Sequence, residues 1–218
     1  MGLSVEGIVC VFAKPPQPGR VKTRLAQTLG HEAAARLARA FLDDTWNMLE
    51  RLPWVRRVVA CSDPALELGC ASGSREVWSQ GEGDLGMRIE RVLQRALRTV
   101  PFAIAIGADT PGLPGHLLEG ARRALHEREA VLGPAEDGGF YLLGLRSCPD
   151  QLLHGLPWSA PDTFATTRSR LCARNLPPAV LEPWFDVDRP ADLRRLRQLI
   201  EARRITAPCT RSALAEIS

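Results

Sequence analysis

The stretch Ile8-Val9-Cys10-Val11-Phe12-Ala13-Lys14-Pro15-Pro16-Gln17-Pro18-Gly19-Arg20-Val21-Lys22-Thr23-Arg24-Leu25-Ala26 passes from an apolar run, through a proline-stiffened loop, into a helix-compatible segment. It reads as a buried strand, a rigid basic loop and a helix start. Loop amides and the first turn of a helix offer unpaired N–H donors, and Lys14, Arg20, Lys22 and Arg24 add positive charge, so the loop suits phosphate. A basic surface turn would be written with the same prolines and glycine. The loop is neither a Walker A sequence nor a Gly-x-Gly-x-x-Gly dinucleotide fingerprint.

Outward from this loop, short apolar runs alternate with longer helical patterns. Strands are expected over 7–13, 55–62, 76–79, 102–107, 130–133, 140–145 and 179–185. Helices are expected over 31–51, 85–99, 114–128, 163–174 and 191–204. Alternation of this kind predicts an α/β fold, a three-layer α/β/α sandwich around a mostly parallel sheet. Pro114 fits a first helical turn, Asp162 an N-cap, and Pro190 the start of the last expected helix. The length suits one domain, 1–205, with 206–218 as a surface tail.

Of the 218 residues, 45% are hydrophobic and 24% charged, with a net charge of +3. Basic and acidic residues interleave along the helical stretches, as solvated faces do, so no nucleic-acid surface is expected. The six cysteines, at positions 10, 61, 70, 148, 172 and 209, show no Cys-x-x-Cys and no zinc spacing. Cys10 and Cys61 lie in apolar runs, which suits core packing and a reducing compartment. No stretch has the length of a membrane span, and a cytoplasmic protein is expected. The four scattered histidines suggest no hydrolase triad. The sequence assigns no oligomeric state.

Four further segments carry candidate chemistry. Ile104-Ala105-Ile106-Gly107-Ala108-Asp109-Thr110-Pro111 is a central strand ending in an Asp, and in open α/β sheets the carboxyl ends of strands line the ligand crevice. Asp109 either holds Mg²⁺ or Mn²⁺ against nucleotide phosphates or caps its turn. Glu136-Asp137-Gly138-Gly139-Phe140-Tyr141 allows close approach to a ligand, although a plain hairpin is also written Asp-Gly-Gly. In Phe185-Asp186-Val187-Asp188-Arg189-Pro190, either acid is a candidate second ligand or a helix cap. Gln80-Gly81-Glu82-Gly83-Asp84-Leu85-Gly86-Met87-Arg88 lies over a base or ribose, or is a flexible loop capped by Asp84. Pro157-Trp158-Ser159-Ala160-Pro161-Asp162-Thr163 offers an aromatic and hydroxyls to an acceptor, unless Trp158 packs on the sheet.

Read in order, Lys14-Pro15-Pro16 with Pro18-Gly19 and Val21-Lys22-Thr23-Arg24-Leu25, Gly83-Asp84-Leu85-Gly86 with Arg88, and Gly107-Ala108-Asp109 with Pro111 make up the first part of a pattern. Asp137-Gly138-Gly139-Phe140-Tyr141, Pro157-Trp158-Ser159 and Asp186-Val187-Asp188 with Asp192-Leu193 complete it. The chain thereby resembles a bacterial glycosyltransferase family of the nucleotide-diphospho-sugar transferase superfamily (glycosyltransferase type A fold, Rossmann-like), some members of which are linked to arsenosugar biosynthesis. That family is similar to small guanylyltransferases such as those for 2-phospholactate and the molybdenum cofactor.

The resemblance implies a nucleotide or phosphate site at Ala13, Lys14, Gly19, Lys22, Thr23, Arg24, Asp84, Gly86 and Arg88. It implies a divalent metal, Mg²⁺ or Mn²⁺, on Asp109 and Asp188; catalytic roles are expected for Asp109, for Lys22 as a diphosphate-holding cation, and for Asp137 as an acceptor-side carboxylate. The small-molecule acceptor is expected near Gly138, Gly139, Phe140, Tyr141, Trp158 and Thr163. The expected reaction is glycosyl transfer from a nucleotide-diphospho-sugar, the alternative being nucleotidyl transfer from a nucleoside triphosphate to a phosphorylated small molecule. A non-catalytic nucleotide-binding protein is a third reading. Two departures from the relatives stand out: the first loop lacks a Gly-Gly-x-x-x-Arg core, and Asp109 has no Asp-x-Asp partner.

Overall fold

A computed structural model describes residues 5–63 and 75–217. Among these residues seven strands form one sheet in the order β3-β2-β1-β4-β6-β5-β7. The strands are β1 (Gly7–Ala13), β2 (Val55–Cys61), β3 (Val77–Ser79), β4 (Phe102–Gly107), β5 (Ala130–Pro134), β6 (Phe140–Leu145) and β7 (Pro178–Val180). Only β6 runs against its neighbours, β4 and β5; the other pairings are parallel.

The helices are α1 (Thr23–Leu29), α2 (His31–Glu50), α3 (Leu85–Leu97), α4 (Gly115–Glu127), α5 (Thr163–Ala173), α6 (Pro190–Glu201) and α7 (Pro208–Ala215). Successive side chains of β1 go to opposite layers, as the pleat demands. Val9 and Val11 pack with Leu42 and Trp46 of α2 and Leu118 of α4, while Ile8 and Cys10 pack with Val92 and Leu93 of α3 and Leu171 of α5. Burial on both faces explains why β1 and β4 are almost wholly apolar, and it is the three-layer arrangement expected of a parallel sheet.

Four details differ from expectation. Gly30, at φ +83°, separates a seven-residue α1 from α2, so the helix start after the first loop is a distinct short element. The last strand stops at Val180, because Pro183 has no N–H to donate and the chain leaves the ladder before Trp184 bridges back to Ala135. Asp162 holds the N-cap position of α5 without a side-chain cap bond.

The fourth is the tail. It is not an appendage lying loosely on the surface, since 208–215 form α7, docked on α2. Both carboxylate oxygens of Asp44 accept main-chain N–H bonds from its first turn, from Cys209 at 2.9 Å and Thr210 at 2.8 Å. Thr210 and Leu214 are buried, and Leu214 joins Leu37, Phe41 and Leu196 in a third apolar cluster. The sequence missed this because the cap lies on another helix, more than 160 residues away.

Candidate functional site

Parallel strands β1 and β4 end at the same edge of the sheet, and their ladder continues one residue further, with Ala108 N donating to Phe12 O at 3.1 Å. The chain then turns at Gly107, where a Cβ would lie 2.5 Å from Asp109 Oδ1, so the Asp side chain can fold back over the strand end only because residue 107 is glycine. The Asp109 carbonyl accepts from Val187 N at 2.9 Å, which draws 186–188 alongside. Asp109 and Asp188, far apart in the chain, thereby become neighbours.

Lys22 joins them. Its Nζ lies 2.7 Å from Asp188 Oδ1 and 3.2 Å from Asp109 Oδ2. The lysine side chain is 9% exposed, whereas the two aspartates retain 42% and 46% exposure toward a cleft of about 580 Å³. The backbone of Lys22 is left-handed (φ 45°, ψ 43°), a conformation uncommon outside glycine, and α1 begins on it. Because α1 is only seven residues long, its helix dipole adds little to the positive charge that the loop side chains carry.

The electrostatics follow from this packing. Burial opposes ionisation of Asp109, but the charge and hydrogen bond of Lys22, with Lys14 behind, outweigh it and hold the carboxyl below the usual aspartate range. Burial likewise opposes the Lys22 charge, and Asp109 and Asp188 overcome it, raising the ammonium above its ordinary value. Asp186 has no ion pair among the described residues; burial first, then the negative charges of Asp109 and Asp137, push it up to about 8. Asp186 therefore favours its protonated, neutral form, while Asp109 and Asp188 share the Lys22 ammonium. The donors are carboxylate oxygens, the type that Mg²⁺ and Mn²⁺ take. Among the described residues, no group of three or more His, Cys, Asp or Glu is arranged to hold a metal ion.

The opposite wall comes from α3 and the strand before it. Gln80 is 5% exposed; its Nε2 donates to Ala60 O at 2.7 Å and Ala13 O at 3.3 Å, pinning together the ends of β2 and β1. Both neighbours are acceptors, so the amide must present its nitrogen to them. Arg88 also lines this wall, and its buried Nε has no partner among the described residues.

The floor comes from the hairpin joining β5 to β6. Asp137 Oδ1 accepts from Gly139 N at 2.9 Å, and Gly138 O accepts from Phe164 N at 2.8 Å, anchoring the hairpin tip on α5. Phe140 and Trp158 meet nearly edge to face at 5.9 Å, and the buried Trp158 Nε1 is likewise unpartnered among the described residues.

Of the residues singled out in the sequence, Ala13, Lys14, Lys22, Thr23, Arg88, Asp109, Asp137, Gly139, Phe140, Tyr141, Trp158, Thr163 and Asp188 line this one cleft. Others lie outside the cleft lining and have local duties. Asp84 caps α3 by accepting from Met87 N at 2.9 Å. Gly86 lies against the Leu153 carbonyl, where a Cβ would come within 2.3 Å, and Gly138 similarly meets the Pro161 carbonyl. Gly19 and Arg24 are exposed and outside the cleft lining. Tyr141 contributes ring to the wall, but its hydroxyl donates to Glu182 O at 3.0 Å, and the Thr163 hydroxyl is held between the carbonyls of Pro157 and Ala160.

Sequence reasoning did not find the anchoring role of Gln80 or the bridging role of Lys22. A clue to the second was present: Lys14 and Lys22 are the only lysines among 28 basic residues.

Residues 45–160 match a family described as "Uncharacterized protein conserved in bacteria (DUF2064)". A crystal structure of a candidate nucleotide-diphospho-sugar transferase from Desulfovibrio desulfuricans G20 is 32% identical, covers 96% of this chain and 94% of its own, and superposes with a TM-score of 0.83. The chain belongs to this family of the nucleotide-diphospho-sugar transferase superfamily.

More distant likenesses show the superfamily fold. A 4-diphosphocytidyl-2C-methyl-D-erythritol synthase is 15% identical over 89% of this chain and 98% of its own, with a TM-score of 0.57. A Mycobacterium tuberculosis H37Rv protein in complex with manganese is also 15% identical, over 88% and 98%, with a TM-score of 0.54. No curated protein sequence matches the chain. Among the described residues, no helix is long and apolar enough to cross a membrane.

Proposed function

We propose that the protein is a metal-dependent glycosyltransferase taking a nucleotide-diphospho-sugar as donor and a small molecule as acceptor. The observation that carries this reading is the convergence of Lys22, Asp109 and Asp188 at the carboxyl ends of β1 and β4, inside the cleft that Lys14 and Arg20 also line. Sugar-nucleotide transfer leaves a diphosphate, and negative charge develops on it as the glycosidic bond breaks. Fixed cations beside that position stabilise the transition state more than the ground state.

In this reading Lys14 and Arg20 bind the diphosphate, and Lys22 is the buried charge behind it. Asp109 and Asp188 hold a divalent ion, which supplies Lewis-acid stabilisation of the leaving diphosphate. The two part-exposed carboxylates facing one cleft, together with the manganese found in the mycobacterial fold relative, support such an ion. Gln80, Leu85 and Arg88 form the wall for the nucleoside, and the Asp137–Phe140 hairpin with Trp158 faces the acceptor, with Asp137 as the carboxylate on that side.

A second reading, nucleotidyl transfer from a triphosphate to a phosphorylated acceptor, draws support from Arg88, a cation in the cleft with no acidic partner among the described residues. Incubation with sugar nucleotides and with triphosphates, each with Mn²⁺, separates the two by product. Nucleoside diphosphate release establishes glycosyl transfer or hydrolysis of its donor, and pyrophosphate release establishes the second reading. Neither product, across a broad acceptor panel, refutes both.

A further inference from the structure

Lys22 is placed differently from a simple phosphate ligand. A lysine awaiting phosphate is expected to extend toward the cleft, yet this side chain is 9% exposed and directs its ammonium at two carboxylates, with the Phe41 ring 5.8 Å from Nζ. The chain adopts a left-handed backbone to hold it there. Its chemistry is selective too. Almost every other basic position is arginine, whose planar fork suits bidentate pairs, whereas Lys22 supplies a compact point charge between Asp188 at 2.7 Å and Asp109 at 3.2 Å.

A divalent ion accepting the same oxygens would stand within a few ångströms of that ammonium. Like charges so close exclude each other unless the ammonium finds another anion. A diphosphate held by Lys14 and Arg20 is such an anion.

We propose that Lys22 is a tethered counter-ion that competes with free divalent metal for Asp109 and Asp188, so that the site takes its cation together with a nucleotide diphosphate and only weakly alone. This rests on the metal–nucleotide reading above. It assigns to Lys22 a positioning role, that of setting the order in which ion and donor are taken up.

The test is Mn²⁺ binding followed by electron paramagnetic resonance, for the wild-type protein and Lys22→Met, with Mn²⁺ alone and with Mn²⁺ plus inorganic pyrophosphate. The expected result is that Lys22→Met binds Mn²⁺ alone at least about tenfold more tightly than wild type, and that pyrophosphate narrows the difference. Equal affinity for Mn²⁺ alone, with wild type binding Mn²⁺ in the presence of pyrophosphate, overturns the counter-ion role and leaves the metal–nucleotide reading standing. No protein-bound Mn²⁺ under any condition overturns both.

A measurement on wild type covers failure of the variant to fold. Acetylation of Lys22 relative to Lys14, read by peptide mass spectrometry, should rise several-fold at saturating Mn²⁺ as the ammonium is displaced. An unchanged ratio counts against the proposal.

Discussion

Replacement of Gly138 by alanine should cost the fold roughly 2–4 kcal/mol, and the matched replacement of Gly155 only about 1 kcal/mol. Both glycines have positive φ, +92° and +64°, so both variants carry the strain of an L-residue in a region it seldom enters. Their surroundings differ. A Cβ on Gly155 meets no atom within 4 Å, whereas one on Gly138 comes 2.1 Å from the Pro161 carbonyl oxygen and 2.5 Å from its carbon.

Those are backbone atoms and cannot rotate away, so the hairpin tip must separate from the start of α5 by about 1 Å. That movement loosens the Phe164 N to Gly138 O bond and adds an overpacking cost of roughly 1–3 kcal/mol to the strain. Urea denaturation of both variants, analysed with a common m-value, isolates the steric part as their difference. A difference below about 1 kcal/mol would refute the claim that close backbone approach, and not φ alone, demands glycine at 138. The same loosening should displace Asp137 and weaken whatever ligand the cleft binds.

Other outcomes are expected from the same geometry. Asp44→Ala leaves two N–H groups of α7 without their acceptor and should destabilise by about 2 kcal/mol, with amides of 208–215 exchanging faster than those of α2; uniform exchange would argue against local docking. Asp109→Asn should lower metal-dependent turnover by about 10²–10³-fold, and full activity would remove Asp109 from the reaction.

The pH behaviour of the acids has opposite signs. Asp109 titrates below its unfolded value when folded, so its contribution is present above the unfolded range and lost as pH falls; Asp109→Asn should flatten the acid limb of the stability profile. Asp186, raised from 3.8 to about 8, contributes stability at low pH that is lost as pH rises between those values. Asp186→Asn should accordingly be the more stable protein at pH 8, by roughly 1–2 kcal/mol, with little difference at pH 4.

Elements buried on both faces were the most legible in sequence. The limits of β1, β4 and β6 fall where the apolar runs end, because a strand inside a parallel or mixed sheet admits no polar residue on either side. β7 was overextended: apolar content around Ala179 continues to Phe185, but the prolines decide where the ladder stops. Asp109 could be placed at the ligand edge from its position after β4. That Lys22 would bridge it to Asp188 could not, since the contact depends on the turn at Gly107 and on the Val187 to Asp109 main-chain bond. Gly86 and Asp84 also have packing and capping duties, since close backbone contact and ligand contact leave the same mark on a sequence.

The single reversed strand has a consequence for how such a protein can diversify. Parallel strands are joined by crossovers that return along a face of the sheet, and altering one disturbs a packed helix. Because β6 runs against β5, the two are joined at the cleft edge by a short hairpin, 135–139, which can vary without rethreading any other element except at Gly138, fixed by the Pro161 carbonyl and the Phe164 N–H. The Lys22 side of the cleft is locked by the strands beneath it. In the proposed reading, substitutions that alter acceptor choice should therefore accumulate at the hairpin around Gly138, leaving the Lys22 side unchanged.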